Sequence, residues 1–287
     1  MSESSNPRRH WLFGLVAGAA LALGTGTASG QIAENVLPEQ LENWRIATGD
    51  TIRYCHYPAS PTAEFERALG EEIASRLLLA SSFQSLPTGY GIDGQFFFED
   101  LFIQLTNDCD IALGLAIEPG FFPVEFTVLQ PYANFGYVLV VTDPSITGLR
   151  DIPRNERIGT EIGSRGETRL ASYILTLPRD QQWQRLPYGD PELMLTRLLD
   201  GTISGMVLYG PTFARLRQGH PDEELHVLSL DPVQGASINV GGALLAERVF
   251  LRAVVDPVIG EMIEDGTIMQ LLEEHGLADA LATPGAR

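Results

Sequence analysis

Apolar residues along this chain fall into two alternating periods. Phe65, Leu69, Ile73 and Leu77 recur every fourth position, which places them on one face of a helix over about Thr62–Leu79, opened by the Ser60-Pro61-Thr62 turn. Phe98, Leu101, Phe102 and Leu105 follow the i, i+3, i+4, i+7 spacing of a second helix. Thr51–His56 (TIRYCH) and Tyr132–Thr142 (YANFGYVLVVT) read instead as strands, the latter with an unbroken apolar end. One device occurs twice. Phe97–Gly114 and Pro191–Gly210 each run an amphipathic helix into a polar turn and then a short apolar strand ending at Gly. Asn107 and Gly201 stand where each helix must end, and both residue types accept a left-handed backbone.

Between and after these devices the pattern continues. A possible short strand lies within Ser81–Gly94, and Leu115–Thr127 reads as loop. Arg157–Glu161 is a strand leading into Gly163-Ser164-Arg165-Gly166 and a helix over about Glu167–Leu177. Further strands are expected near Gln184–Leu186, His226–Leu230 and Ser237–Ala246. Two helices follow, over Arg248–Asp265 and Thr267–His275, separated by Gly266 and ended by Gly276, with a frayed tail from Ala278. Strands alternating with helices at these spacings predict an α/β fold with parallel sheet. Two similar units nearly a hundred residues apart predict two lobes facing each other across a cleft.

The ends and the composition narrow the setting. Residues 1–30 combine a polar, basic start, the apolar run Trp11–Gly24 and a small-residue stretch with Ala28 and Gly30 before Gln31, the three-part layout of a cleavable secretory signal. The run is shorter than the roughly 20 residues a membrane span needs. Arg8-Arg9 resembles a twin-arginine export signal. Gln31–Glu42 reads as a variable arm. Export would bring the chain to the periplasm, where thiols are driven toward disulfides. Cys55 and Cys109 are the two cysteines, and adjacent parallel strands would let them pair; two buried thiols are the alternative. With no histidine cluster they do not make a four-ligand zinc site, and no metal or cofactor is expected.

At 287 residues and 44% hydrophobic content the chain can build a large core. Its formal charge of −18 makes nucleic acid and anionic membranes poor partners. All 19 basic residues are Arg, which excludes a P-loop lysine, a Schiff-base lysine and a Ser-Lys dyad.

The order TIRYCHYP, LTNDCDIALG, PYANFGYVLVV, GLRDIPRNERIGTEIGS, RLLDGTISGMVLYGP and IGEMIEDGTIMQLLEEHGL resembles the bacterial extracellular solute-binding proteins of family 3. The resemblance implies the type 2 periplasmic-binding-protein fold: two parallel-rich sheets joined by two crossing hinge strands. Lobe 1 would comprise 31–137 and 236–287, and lobe 2 138–235. It also implies a monomer that captures a small molecule and hands it to an ABC importer permease. Members that bind α-amino acids hold the ligand carboxylate with an Arg about twelve residues after the Asp of the CDIALG-like strand. Here that region reads Glu118-Pro119-Gly120-Phe121-Phe122, and no Arg occurs from Leu77 to Leu149. The Asp that would hold the ammonium, at the end of the second-lobe strand, is replaced by Leu208-Tyr209-Gly210-Pro211. A standard α-amino acid is therefore not the expected ligand.

The cleft positions carry Tyr57, Glu118, Phe122, Tyr132, Tyr188 and Tyr209, a set that suits a flat or weakly polar ligand. Ser164 and Arg165, at a helix N-terminus, offer a place for an anionic group. Cys55, Cys109-Asp110 and Gly210-Pro211 are also similar to the solute-binding-like periplasmic proteins associated with PQQ-dependent alcohol dehydrogenases. That similarity implies an alternative role as accessory factor to a periplasmic quinoprotein dehydrogenase. A third reading is an enzyme like the periplasmic dehydratases of this fold class, with Glu118, Glu161 or Glu167 as acid. Scattered single carboxylates and His residues give it little support, and no catalytic residue is assigned.

Overall fold

A computed structural model describes residues 49–86 and 97–282. The expected signal segment and arm lie outside these residues, as do parts of the 81–94 connection and of the tail. Ten strands are present among the described residues: β1 Thr51–His56, β2 Ala80–Ser85, β3 Ile111–Ala116, β4 Phe126–Val128, β5 Ala133–Val141, β6 Arg157–Glu161, β7 Gln184–Tyr188, β8 Gly205–Tyr209, β9 His226–Ser229 and β10 Ser237–Leu245. The helices are α1 Ala63–Arg76, α2 Phe97–Asn107, α3 Arg165–Thr176, α4 Pro191–Leu199, α5 Gly210–Gly219, α6 Val249–Glu264 and α7 Thr267–Glu274.

The strands join in the order β2-β1-β3-β10-β5-β8-β6-β7, with β4 added to β10 and β9 to β5. Pairings at both ends of this path are parallel, β1 with β2 and β3, and β6 with β7 and β8. The middle is antiparallel. Strand β5 belongs to both halves: Ala133–Gly136 pairs with β10, while Tyr137–Val140 pairs with β8. This is the expected α/β arrangement of two parallel-rich half-sheets linked through crossing strands.

Each half-sheet is covered on both faces, which explains the nearly continuous apolar strands. Side chains alternate between faces, so Ile52 and Tyr54 of β1 enter one core with Phe65, Leu69 and Ile73 of α1 and Val255 and Ile259 of α6. Cys55 turns the other way, into a core with Leu101 and Leu105 of α2. In the second half Leu139, Val141 and Val207 pack beneath α3, and Val140, Met206 and Leu208 beneath α4 and α5. Cys55 and Cys109 form a disulfide, with their Cα atoms 5.6 Å apart. Beside it the buried carboxylate of Asp110 accepts from the Arg53 backbone N–H at 3.0 Å and pairs with its guanidinium at 3.0 Å, pinning the start of β3 to β1.

Three expectations required correction. Helix α5 is not among the expected elements; Pro at the first turn loses no intrahelical bond, so Gly210-Pro211 starts a helix here. Leu115–Thr127 is not wholly loop, since Phe126 begins β4 against β10. Gly201 adopts the left-handed conformation (φ 75°), but Asn107 does not, and the one such non-glycine among the described residues is Leu78. After α2 the Asp108 and Cys109 N–H groups both turn back to the Gln104 carbonyl, at 2.8 and 3.0 Å, which ends the helix without a left-handed residue.

Candidate functional site

The seam between the two half-sheets is built from the end of β3, the start and middle of β5, the end of β8 and the turn that opens α3. Glu66, in the first turn of α1, is completely buried there. Its Oε1 accepts from the Thr62 hydroxyl at 2.5 Å, while Oε2 has no partner among the described residues. Burial pushes this carboxyl up from 4.5 to about 7, and the Thr62 bond opposes the change only in part. Gly114 makes room for it. The glycine has φ 79°, and a Cβ at that position would collide with both carboxyl oxygens of Glu66. Gly114 also donates its N–H to the Tyr132 hydroxyl at 2.8 Å.

Tyr132 is itself buried, with its ring edge-on to Phe65 at 5.9 Å. Burial first, and then Glu66, raises its phenol well above the usual range. Tyr209, at the end of β8, touches the cores of both halves and meets Phe135 edge-on at 6.0 Å and Tyr137 at a tilt at 5.5 Å. Its phenol is raised by burial and then by Tyr137, Glu66 and Glu161. Glu161 is raised by burial, offset partly by the Tyr209 N–H and by Arg215. A carboxyl from the first half, a carboxyl from the second and three phenols therefore share one poorly solvated seam.

The turn after β6 supplies the positive side. Ser164 caps α3, its hydroxyl accepting from the Glu167 N–H at 3.0 Å, while Glu167 accepts from the Gly163 N–H at 2.7 Å. Arg165 forms an ion pair with Glu118, joining the loop after β3 to the start of α3 and so crossing between the halves. Burial lowers the Arg165 guanidinium, with Arg169 adding to the effect. A second crossing contact runs from the Arg215 guanidinium of α5 to the Ala59 carbonyl at 3.3 Å. Tyr137 lies with its ring against Gly166, so close that a Cβ there would collide with it. Burial, ahead of the neighbouring Glu161, pushes that phenol up to about 12.

The expected site residues thus divide. Glu118 meets Arg165, with Ser164 beside it; Tyr132 and Tyr209 converge on Glu66. Three others pack elsewhere. Phe122 belongs to an aromatic cluster with Phe98, at 5.5 Å, and Phe126, at 6.3 Å. Tyr57 packs against that same α2 core, next to Leu86 and Phe97. Tyr188 ends β7 against the α4 core, and its carbonyl accepts from the Ile162 N–H at 2.9 Å. Sequence reasoning missed Glu66 and Tyr137. Glu66 is one of 37 acidic residues and carries no local mark, and Tyr137 reads as one more apolar strand position.

Two cavities of about 600 and 620 Å³ flank β5, sharing Val138, Val227 and Asp279, and none of the eight expected binding residues lines either. Among the described residues there is no cluster of His, Cys, Asp and Glu able to hold a metal, and no helix long and apolar enough to cross a membrane.

No family model and no curated protein sequence matches the chain. Solved structures do match. A probable amino-acid ABC transporter extracellular-binding protein from Bacillus subtilis superimposes with a TM-score of 0.63 at 16% identity, covering 80% of this chain and 98% of its own. The L-cystine solute receptor of Neisseria gonorrhoeae, in its unliganded open conformation, gives 0.62 at 15% identity, covering 81% and 95%. An ancestral amino acid-binding protein described as a precursor of cyclohexadienyl dehydratase gives 0.54 at 16% identity, covering 80% and 97%. At this level of identity the likeness establishes architecture: the chain has the two-lobe α/β fold of the periplasmic binding proteins.

Proposed function

We propose that this chain is a periplasmic binding protein that closes its two halves on a small, weakly polar solute other than a standard α-amino acid and presents it to an ABC importer. The observation that carries the reading is the seam itself. Two independently cored halves share strand β5, and groups from both meet between them: Glu118 with Arg165, and Glu66 with Tyr132 and Tyr209. A fold of this kind closes by rotation about the crossing strands. The segment from Glu118 to Phe122, and Tyr209, stand where an amino-acid clamp would need an Arg and an Asp, so a zwitterion would lose both charge-assisted contacts. Lobe 1 would then comprise 31–137 and 236–287, and lobe 2 138–235.

Thermal shift of the purified protein against a library of neutral and charged metabolites tests this. A ligand present at 100 times its Kd stabilises by about 2.7 kcal/mol, a rise of several degrees. Stabilisation by neutral solutes and none by amino acids is the expected result; strong stabilisation by an amino acid would overturn the ligand class.

One observation favours a second reading, the accessory factor of a periplasmic quinoprotein dehydrogenase. The cross-seam ion pair engages Arg165 and Glu118 with each other without any solute. Absence of any stabilising metabolite, together with co-purification of a quinoprotein dehydrogenase, would favour that role.

A further inference from the structure

We propose that the cavity of about 620 Å³ beside the crossing strands is a second binding site, for a small organic cation with an apolar body. Its volume falls within the roughly 300–1,000 Å³ of small-molecule sites. None of Glu66, Glu118, Tyr132, Arg165 or Tyr209 lines it, so the site stands independently of the solute that the seam takes.

Its walls come from the hinge. Strand β5 changes partners there: Gly136 still pairs with Ser237 of β10, while Tyr137 already pairs with Tyr209 of β8. Gly136, Tyr137 and Val138 line one side of the cavity, β9 a second, and Asp279, Leu281 and Ala282 a third. Backbone contacts fix this third wall. The Ala282 N–H donates to the Asn134 carbonyl at 2.8 Å, and a Cβ on Gly210 would lie only 3.0 Å from the Ala280 carbonyl oxygen. A space bounded by backbone held in this way is formed before any ligand arrives.

The lining decides the ligand class. Val138, Val227, Leu230, Val233 and Leu281 supply apolar surface, and Val227 is exposed although apolar. Among the described residues that line the cavity, the charged ones are Asp231 and Asp279. The Ser229 hydroxyl donates to Asp231 at 2.8 Å, which orients one oxygen and leaves the charge uncompensated. Neither acid forms an ion pair among the described residues, and Arg217 lines the neighbouring cavity instead. An ammonium or guanidinium would gain charge-assisted hydrogen bonds from these carboxylates. A carboxylate or phosphate would meet two like charges on a chain of formal charge −18, and the same charge disfavours a second copy of this chain as the occupant.

The test titrates the full chain, labelled with 15N, with 2-phenylethylammonium chloride and with two probes of matched shape, 2-phenylethanol and 3-phenylpropionate. The ammonium should give saturable shifts at the amides of Val138, Val227 and Asp279, the alcohol should bind more weakly, and the carboxylate should give none. Asp231→Asn and Asp279→Asn are nearly isosteric changes at exposed positions, so the fold should be kept. Each should weaken binding of the ammonium by about fivefold, the upper range for an exposed ion pair. Val227→Trp, which fills space shared by both cavities, should abolish the saturable shifts. Shifts that never saturate, equal affinity for the alcohol, or Asn variants that bind like wild type would overturn the proposal. So would shifts centred on Tyr132 and Tyr209, which would assign the probe to the seam.

Discussion

Glu66→Gln should raise the stability of this protein at alkaline pH and leave it nearly unchanged at acidic pH. The Glu66 carboxyl is fully buried, with one hydroxyl partner, Thr62, and with Tyr132 and Tyr209 as its charged-state neighbours in the seam. Its pKa rises from 4.5 to about 7 on folding. The folded protein therefore holds this proton more tightly than the unfolded chain does. The resulting contribution is complete below about pH 4.5 and is lost as pH rises through about 7. A shift of that size at about 1.4 kcal/mol per unit corresponds to about 3 kcal/mol. Glutamine is nearly isosteric with the protonated acid and cannot ionise. Urea denaturation of both proteins at intervals from pH 5 to pH 9 isolates the effect, because every other titrating group is common to the two. Their difference in unfolding free energy should grow by about 2.5 kcal/mol across that range, with most of the change between about pH 5 and pH 7 and little above. Two curves that stay parallel would refute the reasoning, since they would mean that Glu66 titrates alike in the folded and unfolded chains.

The close approach of Gly114 to Glu66 predicts that Gly114→Ala destabilises by about 3 kcal/mol, from a left-handed backbone and an overfilled site. Denaturation of the Gly114→Ala, Glu66→Ala double variant should recover part of that loss; strict additivity would argue against the contact. The Cys55–Cys109 bond spans 54 residues, so the double Ala variant should lose about 4 kcal/mol in the chain-entropy treatment, and mass spectrometry of the native protein should find no alkylatable thiol. Glu118→Gln removes a partly exposed pair and should change stability by less than about 1 kcal/mol. It should nevertheless increase the radius of gyration measured by small-angle X-ray scattering, because this pair joins the two halves; an unchanged radius would show that the ion pair does not hold the seam closed.

Elements with a clear period could be read directly. Phe65, Leu69 and Ile73 specify α1, and the run ending in Val141 specifies β5, because helix and strand faces are set by local spacing. The two repeated devices likewise point to two halves from the sequence alone. Replacement of the amino-acid clamp by the segment from Glu118 to Phe122 and by Tyr209 was also legible, as a substitution within a recognisable order of segments. The contents of the seam were not. Glu66 looks like any solvated acid of an amphipathic helix, and Tyr137 like any apolar strand residue. Burial, desolvation and unpaired atoms depend on which distant segments come together, and no local spacing encodes that. Only the packing of α1 against β3, and of β5 against α3, raised one carboxyl to about 7 and laid the Tyr137 ring on Gly166.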